Sequence, residues 1–99
     1  MNALNNEVIL KGIVLPVFTK IRAINKQGIK VYIKVQDDMN EENYYNIPVY
    51  FLNINSKEFM KYKNKQIIID AHIDNKWGMR IIADSFASEI DNEVLLMIN

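Results

Sequence analysis

The sequence predicts an all-β fold, a five-stranded Greek-key barrel with one short helix between strands 3 and 4. Several segments alternate β-branched and polar residues with a period of two, which is typical of half-buried strands. One segment, "SKEFMKYK" (residues 56–63), spaces Phe59 and Tyr62 three apart and therefore indicates a helix. Three or four strands, this helix and two further strands follow the order of such a barrel. A generic antiparallel sheet with one helix is the alternative.

The first half of the chain supplies the clearest strand. "EVILKGIVL" (residues 7–15) is expected to form the first strand, with Gly12 marking a bulge or sharp bend and Pro16 ending the run. "FTKIRAI" (residues 18–24) is a weaker strand candidate, and "NKQG" reads as a turn. In "GIKVYIKVQ" (residues 28–36) the apolar and polar sides separate fully. Its polar side carries Lys30, Tyr32, Lys34 and Gln36.

The second half predicts the remaining elements. "YYNIPVYFLNI" (residues 44–54) is a third β segment, in which Pro48 suggests an edge or a bulge. Ser56 is the expected N-cap of the helix. Strands are expected at residues 66–73 and 79–86, joined by the loop "DNKWG", and a short tail at residues 91–99 follows a single domain at residues 1–90.

Composition excludes several classes of protein. The chain has no cysteine, so disulfides and thiolate metal sites are absent. Because it lacks a signal peptide and any apolar run of about 20 residues, a soluble cytoplasmic protein is expected. The net charge is zero, but the charges are segregated: residues 8–36 hold only cations, whereas residues 37–42 hold only anions. Whether the lysines converge on one face depends on the fold.

The sequence predicts neither catalysis nor a bound cofactor or metal. His72 is the only histidine, and with Asp70 alone it makes no metal site or catalytic set. The acidic residues 37–42 lack the spacing and glycine of a calcium loop. No phosphate-cradling glycine loop and no nucleophile–base arrangement is present.

Several stretches resemble, in order, the bacterial and phage single-stranded DNA-binding protein family, which has the OB fold. "NNEVILKGIV" is similar to the family's first strand, "KQGIKVYIKV" to the strand after its glycine turn, and "YYNIPVYF" to a base-stacking strand. "MKYKNKQIIIDAHIDNKW" is similar to its Tyr-x-x-Lys motif, the strand after it and a basic-aromatic hairpin. The similarity spans roughly residues 5–90. The chain departs from the family pattern in two ways. Asn64 or Lys65 stands where the family has a glycine after the Tyr-x-x-Lys motif, and the long Gly/Pro-rich tail of the family is missing.

The resemblance implies non-catalytic, largely sequence-independent binding of single-stranded DNA in replication, recombination or repair. RNA is an alternative ligand, and a homo-oligomer, either a dimer or a tetramer, is expected. The missing tail suggests a phage or mobile-element member. The alternative function is an OB-fold protein-interaction module, such as a primosome-like accessory protein with weak or no DNA affinity. The zero net charge and the apolar "VLLMI" near the C-terminus favour that alternative.

Single-strand binding requires aromatic rings for base stacking and cations for phosphates. The resemblance selects Tyr45 and Phe51 for stacking, and Trp77 matches the family's hairpin tryptophan. The polar side of residues 28–36 contributes Tyr32 between Lys30 and Lys34. The alternative for Tyr45 and Phe51 is a place in the core, and for Trp77 packing on the core or in a subunit contact. For Tyr32 the alternative is a solvated strand face with a cross-strand tyrosine. The expected phosphate-binding residues are Lys30, Lys34, Lys76, Arg80, Lys11, Lys20 and Arg22.

Overall fold

Five strands close into a barrel with the neighbour order β1-β2-β3-β5-β4 in the computed structural model, which describes residues 7–23, 26–75 and 78–88. A short helix and a 3₁₀ turn lie between β3 and β4. This confirms the expected fold class. The elements are β1 (Glu7–Ala23), β2 (Lys26–Gln36), β3 (Tyr44–Leu52), α1 (Ser56–Phe59), the 3₁₀ turn (Met60–Tyr62), β4 (Gln66–Asp74) and β5 (Arg80–Ser88).

Four antiparallel ladders and one short parallel ladder close the barrel. β1 pairs with β2 and with β4, β2 pairs with β3, and β4 pairs with β5, all antiparallel. β3 and β5 pair in parallel at Val49↔Ile81 and Tyr50↔Ile82. The predicted hairpin between the last two strands is confirmed, since Asp74 pairs with Arg80. β3 and the start of β5 therefore lie side by side.

β1 is one long strand, so the prediction that Pro16 ends the first strand is wrong. The register slips between Val14↔Ile33 and Phe18↔Val31, which leaves three residues of β1 opposite one residue of β2. A bulge of this kind tolerates proline because the ladder hydrogen bond is already missing there. The segments expected at residues 7–15 and 18–24 are the two arms of this bulged strand.

Gly12 allows β1 and β2 to approach each other closely. A Cβ atom built on Gly12 would lie 2.5 Å from the carbonyl oxygen of Lys34 and 2.7 Å from Cγ2 of Ile33. Only a residue without a side chain fits this contact. A bulge or sharp bend is expected at Gly12, but the bulge lies at Pro16, and Gly12 is where β1 comes too close to β2 for a side chain.

The helical segment seals one end of the barrel core. Phe59 is fully buried, and its ring packs against those of Phe18, Phe51, Tyr62 and Phe86 at centroid distances of 4.6–5.5 Å. The N-cap is Asn55 rather than the expected Ser56, because the Asn55 side chain accepts the Glu58 N–H at 2.8 Å. Neither helical segment among the described residues could cross a membrane.

The turn into β4 explains one departure from the family pattern. Asn64 has a φ of 63°, in the left-handed region, and donates its backbone N–H to the carbonyl oxygen of Val14. Asparagine is among the few residues other than glycine that tolerate this conformation. Asn64 therefore serves where the resembled family has glycine.

Candidate nucleic-acid interface

The β2–β3 hairpin has an apolar inner side and a polar, aromatic outer side. The register places Lys30 opposite Tyr50, Lys34 opposite Asn46 and Gln36 opposite Tyr44. Paired residues of adjacent strands lie on the same side of a sheet. The alternate positions face the core, where Ile29, Val31, Ile33 and Val49 are buried. The polar side predicted for β2 therefore lies on the outside of the barrel, next to tyrosines of β3.

Three cations rest on three tyrosine rings across this outer side. The Lys34 Nζ lies 4.3 Å from the centroid of Tyr44, and the Lys30 Nζ lies 5.4 Å from that of Tyr32. The Arg80 Cζ, at the start of β5, lies 5.1 Å from the centroid of Tyr50. Distances below about 6 Å are attractive cation–π contacts. We call these six residues the cation–tyrosine face: Lys30, Tyr32, Lys34, Tyr44, Tyr50 and Arg80.

The cation–tyrosine face has the chemistry that unstacked bases and phosphates require. Tyr44 is 49% exposed, and Tyr32 and Tyr50 are partly exposed, so their rings are accessible from solvent. The cation–π contacts place a positive charge over one face of each of these rings. Stacking of a base on an aromatic ring contributes about 1–3 kcal/mol and depends little on base identity.

A shallow groove borders the face at the start of β5. Pro48, Tyr50, Gly78, Met79 and Arg80 line it. Gly78 has a φ of +82°, a conformation that side chains disfavour, and it turns the chain into β5 beside Tyr50. The predicted site residues Lys76 and Trp77 lie outside the described residues.

Phe51 is a core residue, which corrects its prediction as a stacking residue. It is only 3% exposed and packs against Phe59 at 4.6 Å and Phe86 at 5.5 Å between ring centroids. Phe51 pairs with buried Ile29, so its side chain lies on the inner side of β3. No face of its ring is open to a base.

Tyr45 lies on the same side of β3 as Phe51 but at the end of the strand, where it is 53% exposed. Its hydroxyl donates a 2.9 Å hydrogen bond to Oδ2 of Asp37. This bond raises the pKa of Tyr45, and backbone N–H donation from Met39, then the Tyr45 hydroxyl, lowers the pKa of Asp37. Tyr45 is thereby tied to the acidic loop, away from the cation–tyrosine face.

The other predicted cations lie elsewhere on the barrel. Lys11 is exposed on β1 opposite Ile68 of β4. Lys20 and Arg22 are exposed near the far end of β1 and line a groove with Gln27. Of the expected cations that the structure describes, Lys30, Lys34 and Arg80 meet on the cation–tyrosine face.

His72 contacts a carboxylate across the β4–β5 ladder. Its Nδ1 lies 2.9 Å from both carboxylate oxygens of Asp84, on the neighbouring strand β5. Among residues 7–23, 26–75 and 78–88, no group of three or more potential ligands could hold a metal ion.

Tyr44 and Tyr50 belong to the face although the sequence did not select them. Both sides of residues 44–52 are apolar, so the pattern of β3 alone does not separate core from surface. The missing signal was the register of the β2–β3 hairpin. Lys30 pairs with Tyr50, and the pairing runs without a slip from Gly28↔Leu52 to Gln36↔Tyr44. The lysines of β2 therefore identify the outer tyrosines of β3 once that register is known.

Comparisons with known proteins show the fold. No family model matches the chain, and no curated protein matches it by sequence. The dimeric N-terminal domain of PriB from Thermoanaerobacter tencongensis is similar in structure, with a TM-score of 0.66, 15% identity, and coverage of 85% of this chain and 96% of that one.

Two single-stranded DNA-binding proteins are also similar in structure. The SSB domain of a Synechococcus sp. protein has a TM-score of 0.63 and 10% identity, covering 87% of this chain and 98% of that one. The second single-stranded DNA-binding protein of Mycobacterium smegmatis has a TM-score of 0.62 and 10% identity, covering 88% and 91%. This chain therefore has the OB fold that the SSB domains and PriB share.

Proposed function

We propose that the protein binds single-stranded DNA through the cation–tyrosine face, without catalysis and without strong preference for sequence. One observation carries the proposal: three tyrosines lie on one outer surface, each beside its own cation. Rings offer stacking to any base, and the cations neutralise phosphates irrespective of sequence. The structural similarity to proteins described as SSBs supports it.

The proposed site extends beyond the face to the adjoining loop. We include Trp77 as a further stacking residue and Lys76 as a further phosphate contact, because the described residues Gly78 and Arg80 that follow them border Tyr50. Tyr45 is exposed but lies apart from the face, bonded to Asp37, so it stays outside the proposed site. Phe51 is excluded because it is buried.

Such a protein would act in DNA replication, recombination or repair in the cytoplasm, as the family resemblance implies. Its role would be to cover transiently exposed single strands, since stacking and phosphate contacts require unpaired bases. RNA offers similar bases and phosphates and differs from DNA in the 2′-hydroxyl of its sugar. RNA therefore competes with DNA for the face unless the face distinguishes the two sugars.

The proposed function is tested by titrating a labelled thymidine oligomer of about 16 nucleotides, near the upper limit for one OB fold, and following its anisotropy at low salt. We expect saturable binding, with quenching of Trp77, the chain's only tryptophan. A double-stranded oligomer of the same length serves as the control. Absence of binding at low salt would contradict the proposed function.

We also propose that the protein self-associates, because part of β1 presents a sheet edge. In the described part of the chain, β1 pairs with β4 from Glu7 onward, whereas its ladder with β2 begins only at Ile13↔Lys34. Open strand edges invite pairing with another chain. Ile9, near the middle of this edge, is 67% exposed. The similar PriB domain is described as dimeric.

The charges along this edge favour a second copy of the same chain. If two copies pair antiparallel about a two-fold axis at Ile9, Glu7 of each copy faces Lys11 of the other. Opposite charges in such cross-strand positions contribute about 0.2–1 kcal/mol each. A hydrogen bond with nearby Asp70 and the charge of Asp70 raise the pKa of Glu7, so a cation placed there would relieve crowded acids.

Replacing Ile9 with lysine tests this interface. The substitution puts two like charges opposite each other on the two-fold axis, so we expect the assembly to dissociate to monomers in sedimentation equilibrium. Val17→Lys is the matched control, because Val17 is 65% exposed but lies at the bulge rather than on the edge. An unchanged mass for Ile9→Lys, or a monomeric unmodified protein, would rule out the interface.

A further inference from the structure

The two ends of β3 lead to segments of opposite charge. Before Tyr44 lies the acidic loop of residues 37–43, in which Asp38, Glu41 and Glu42 are exposed. Internal hydrogen bonds hold this loop, including one from the Met39 N–H to Oδ1 of Asp37 at 2.8 Å. A bound polyanion is therefore repelled from continuing beyond the Tyr44 end of the cation–tyrosine face.

Beyond the other end of β3 lies a lysine segment, which we define as Lys57, Lys61, Lys63 and Lys65. All four side chains are exposed, whereas Phe59 and Tyr62 between them are buried in the barrel. Because these two rings pack inward, the lysines beside them face solvent, and the Lys61 Nζ lies 5.1 Å from the centroid of the Tyr62 ring. The Lys65 carbonyl also accepts the Val14 N–H at 2.9 Å, which fixes the end of the segment. Its only carboxylate, Glu58, is bonded to the N-cap Asn55 at 2.6 Å.

A groove at the end of the barrel adjoins both regions in the chain. It lies between the end of the β1–β2 hairpin and the residues before α1, and its lining includes Ile29, which precedes Lys30, and Ser56, which precedes Lys57. The lining is mixed, with isoleucines beside the polar groups of Gln27 and Asn55. Lys20 and Arg22 place two cations in this groove.

We infer that a single strand bound on the cation–tyrosine face continues past Lys30 through this groove onto the lysine segment. The inference rests on the proposed function and adds a direction and a second contact region to it. The acidic loop closes one exit from the face, and the groove opens the other. Short strands would occupy the face alone, whereas longer strands would also reach the lysines.

Oligomer length separates the two regions. We compare thymidine oligomers of about 6 and about 16 nucleotides, which bracket the usual sizes of OB sites. The test variant carries Lys57→Gln, Lys61→Gln, Lys63→Gln and Lys65→Gln. The matched control, Lys30→Gln with Lys34→Gln, removes charge from the face instead. Thermal unfolding checks that each variant folds, and the pair Lys57→Gln and Lys61→Gln serves if the fourfold variant does not.

We expect the fourfold variant to bind the short oligomer as the unmodified protein does and the long one at least tenfold more weakly. Its salt slope for the long oligomer should fall by about 0.7 for each phosphate that the lysine segment no longer neutralises. The control variant should bind both lengths more weakly. Equal affinity of the fourfold variant and the unmodified protein for the long oligomer would overturn this inference alone. Failure of the unmodified protein to bind either length would overturn the proposed function as well.

Discussion

Tyr50→Ala is expected to weaken binding of a thymidine oligomer roughly 10- to 100-fold. Tyr50 lies at the centre of the proposed site, with Arg80 over its ring and the groove of Gly78 and Met79 beside it. The substitution removes a stacking surface that contributes about 1–3 kcal/mol per base. It also removes the ring that holds the Arg80 guanidinium beside the phosphate path. Anisotropy titration at one fixed salt concentration measures the decrease in affinity.

Tyr50→Phe is the matched control for this prediction. It keeps the aromatic ring and removes only the hydroxyl, so we expect nearly unchanged affinity. Because Tyr50 is on the outer side of β3, both variants should unfold at similar temperatures. If Tyr50→Ala binds as tightly as Tyr50→Phe, base stacking at this position is excluded.

Phe59→Ala is expected to lower the free energy of unfolding by about 3–5 kcal/mol, the range for a large aromatic side chain removed from a core. Phe59 is fully buried and touches four other aromatic rings, from Phe18 in β1 to Phe86 in β5. Its removal leaves a cavity where the helical segment meets the barrel. Since small domains have a total stability of about 5–15 kcal/mol, urea denaturation should reveal a large shift of the midpoint.

The adjacent Met60 provides the control for Phe59. Met60 is 48% exposed, and we expect Met60→Ala to change stability by less than about 0.5 kcal/mol, as is usual at the surface. Similar destabilisation by the two alanine substitutions would mean that the helical segment does not seal the core as described. The comparison is direct because the residues are neighbours in one short segment.

The sequence predicted the outer side of β2 correctly because only one side of that strand is apolar. Ile29, Val31 and Ile33 are buried, and Lys30 and Lys34 lie outside with Tyr32. Strict alternation leaves one arrangement that buries the apolar side. The barrel followed from the order of such elements, with the helix between β3 and β4 as expected.

β3 was ambiguous for a physical reason. Apolar residues occupy both sides of this strand, so alternation does not distinguish the core side from the outer side. Pairing with β2 resolves it by placing Phe51 beside buried Ile29 and Tyr50 beside Lys30. The family resemblance selected Phe51, and its burial shows why a motif position requires its structural neighbours before a role is assigned.

β1 shows a second limit of sequence patterns. Pro16 normally ends a strand, yet here it sits in a bulge that joins two paired arms. The second arm forms a local hairpin with β2, but the first arm pairs with β4, which follows more than 50 residues later in the chain (Ile13↔Gln66 is the nearest pair). Local propensity does not reveal a strand that depends on so distant a partner.

Salt dependence of binding tests the central claim most directly, because it counts phosphate contacts on the face. For the oligomer of about six nucleotides, Lys30, Lys34 and Arg80 together predict a log–log slope near −2, and the proposed contact of Lys76 takes it toward −3, at about 0.7 per phosphate neutralised. Affinity should therefore fall steeply as salt rises, and the slope should flatten toward −1 in the variant carrying Lys30→Gln and Lys34→Gln. An affinity that is independent of salt, or a slope that is the same in that variant, would contradict binding of single strands on the cation–tyrosine face.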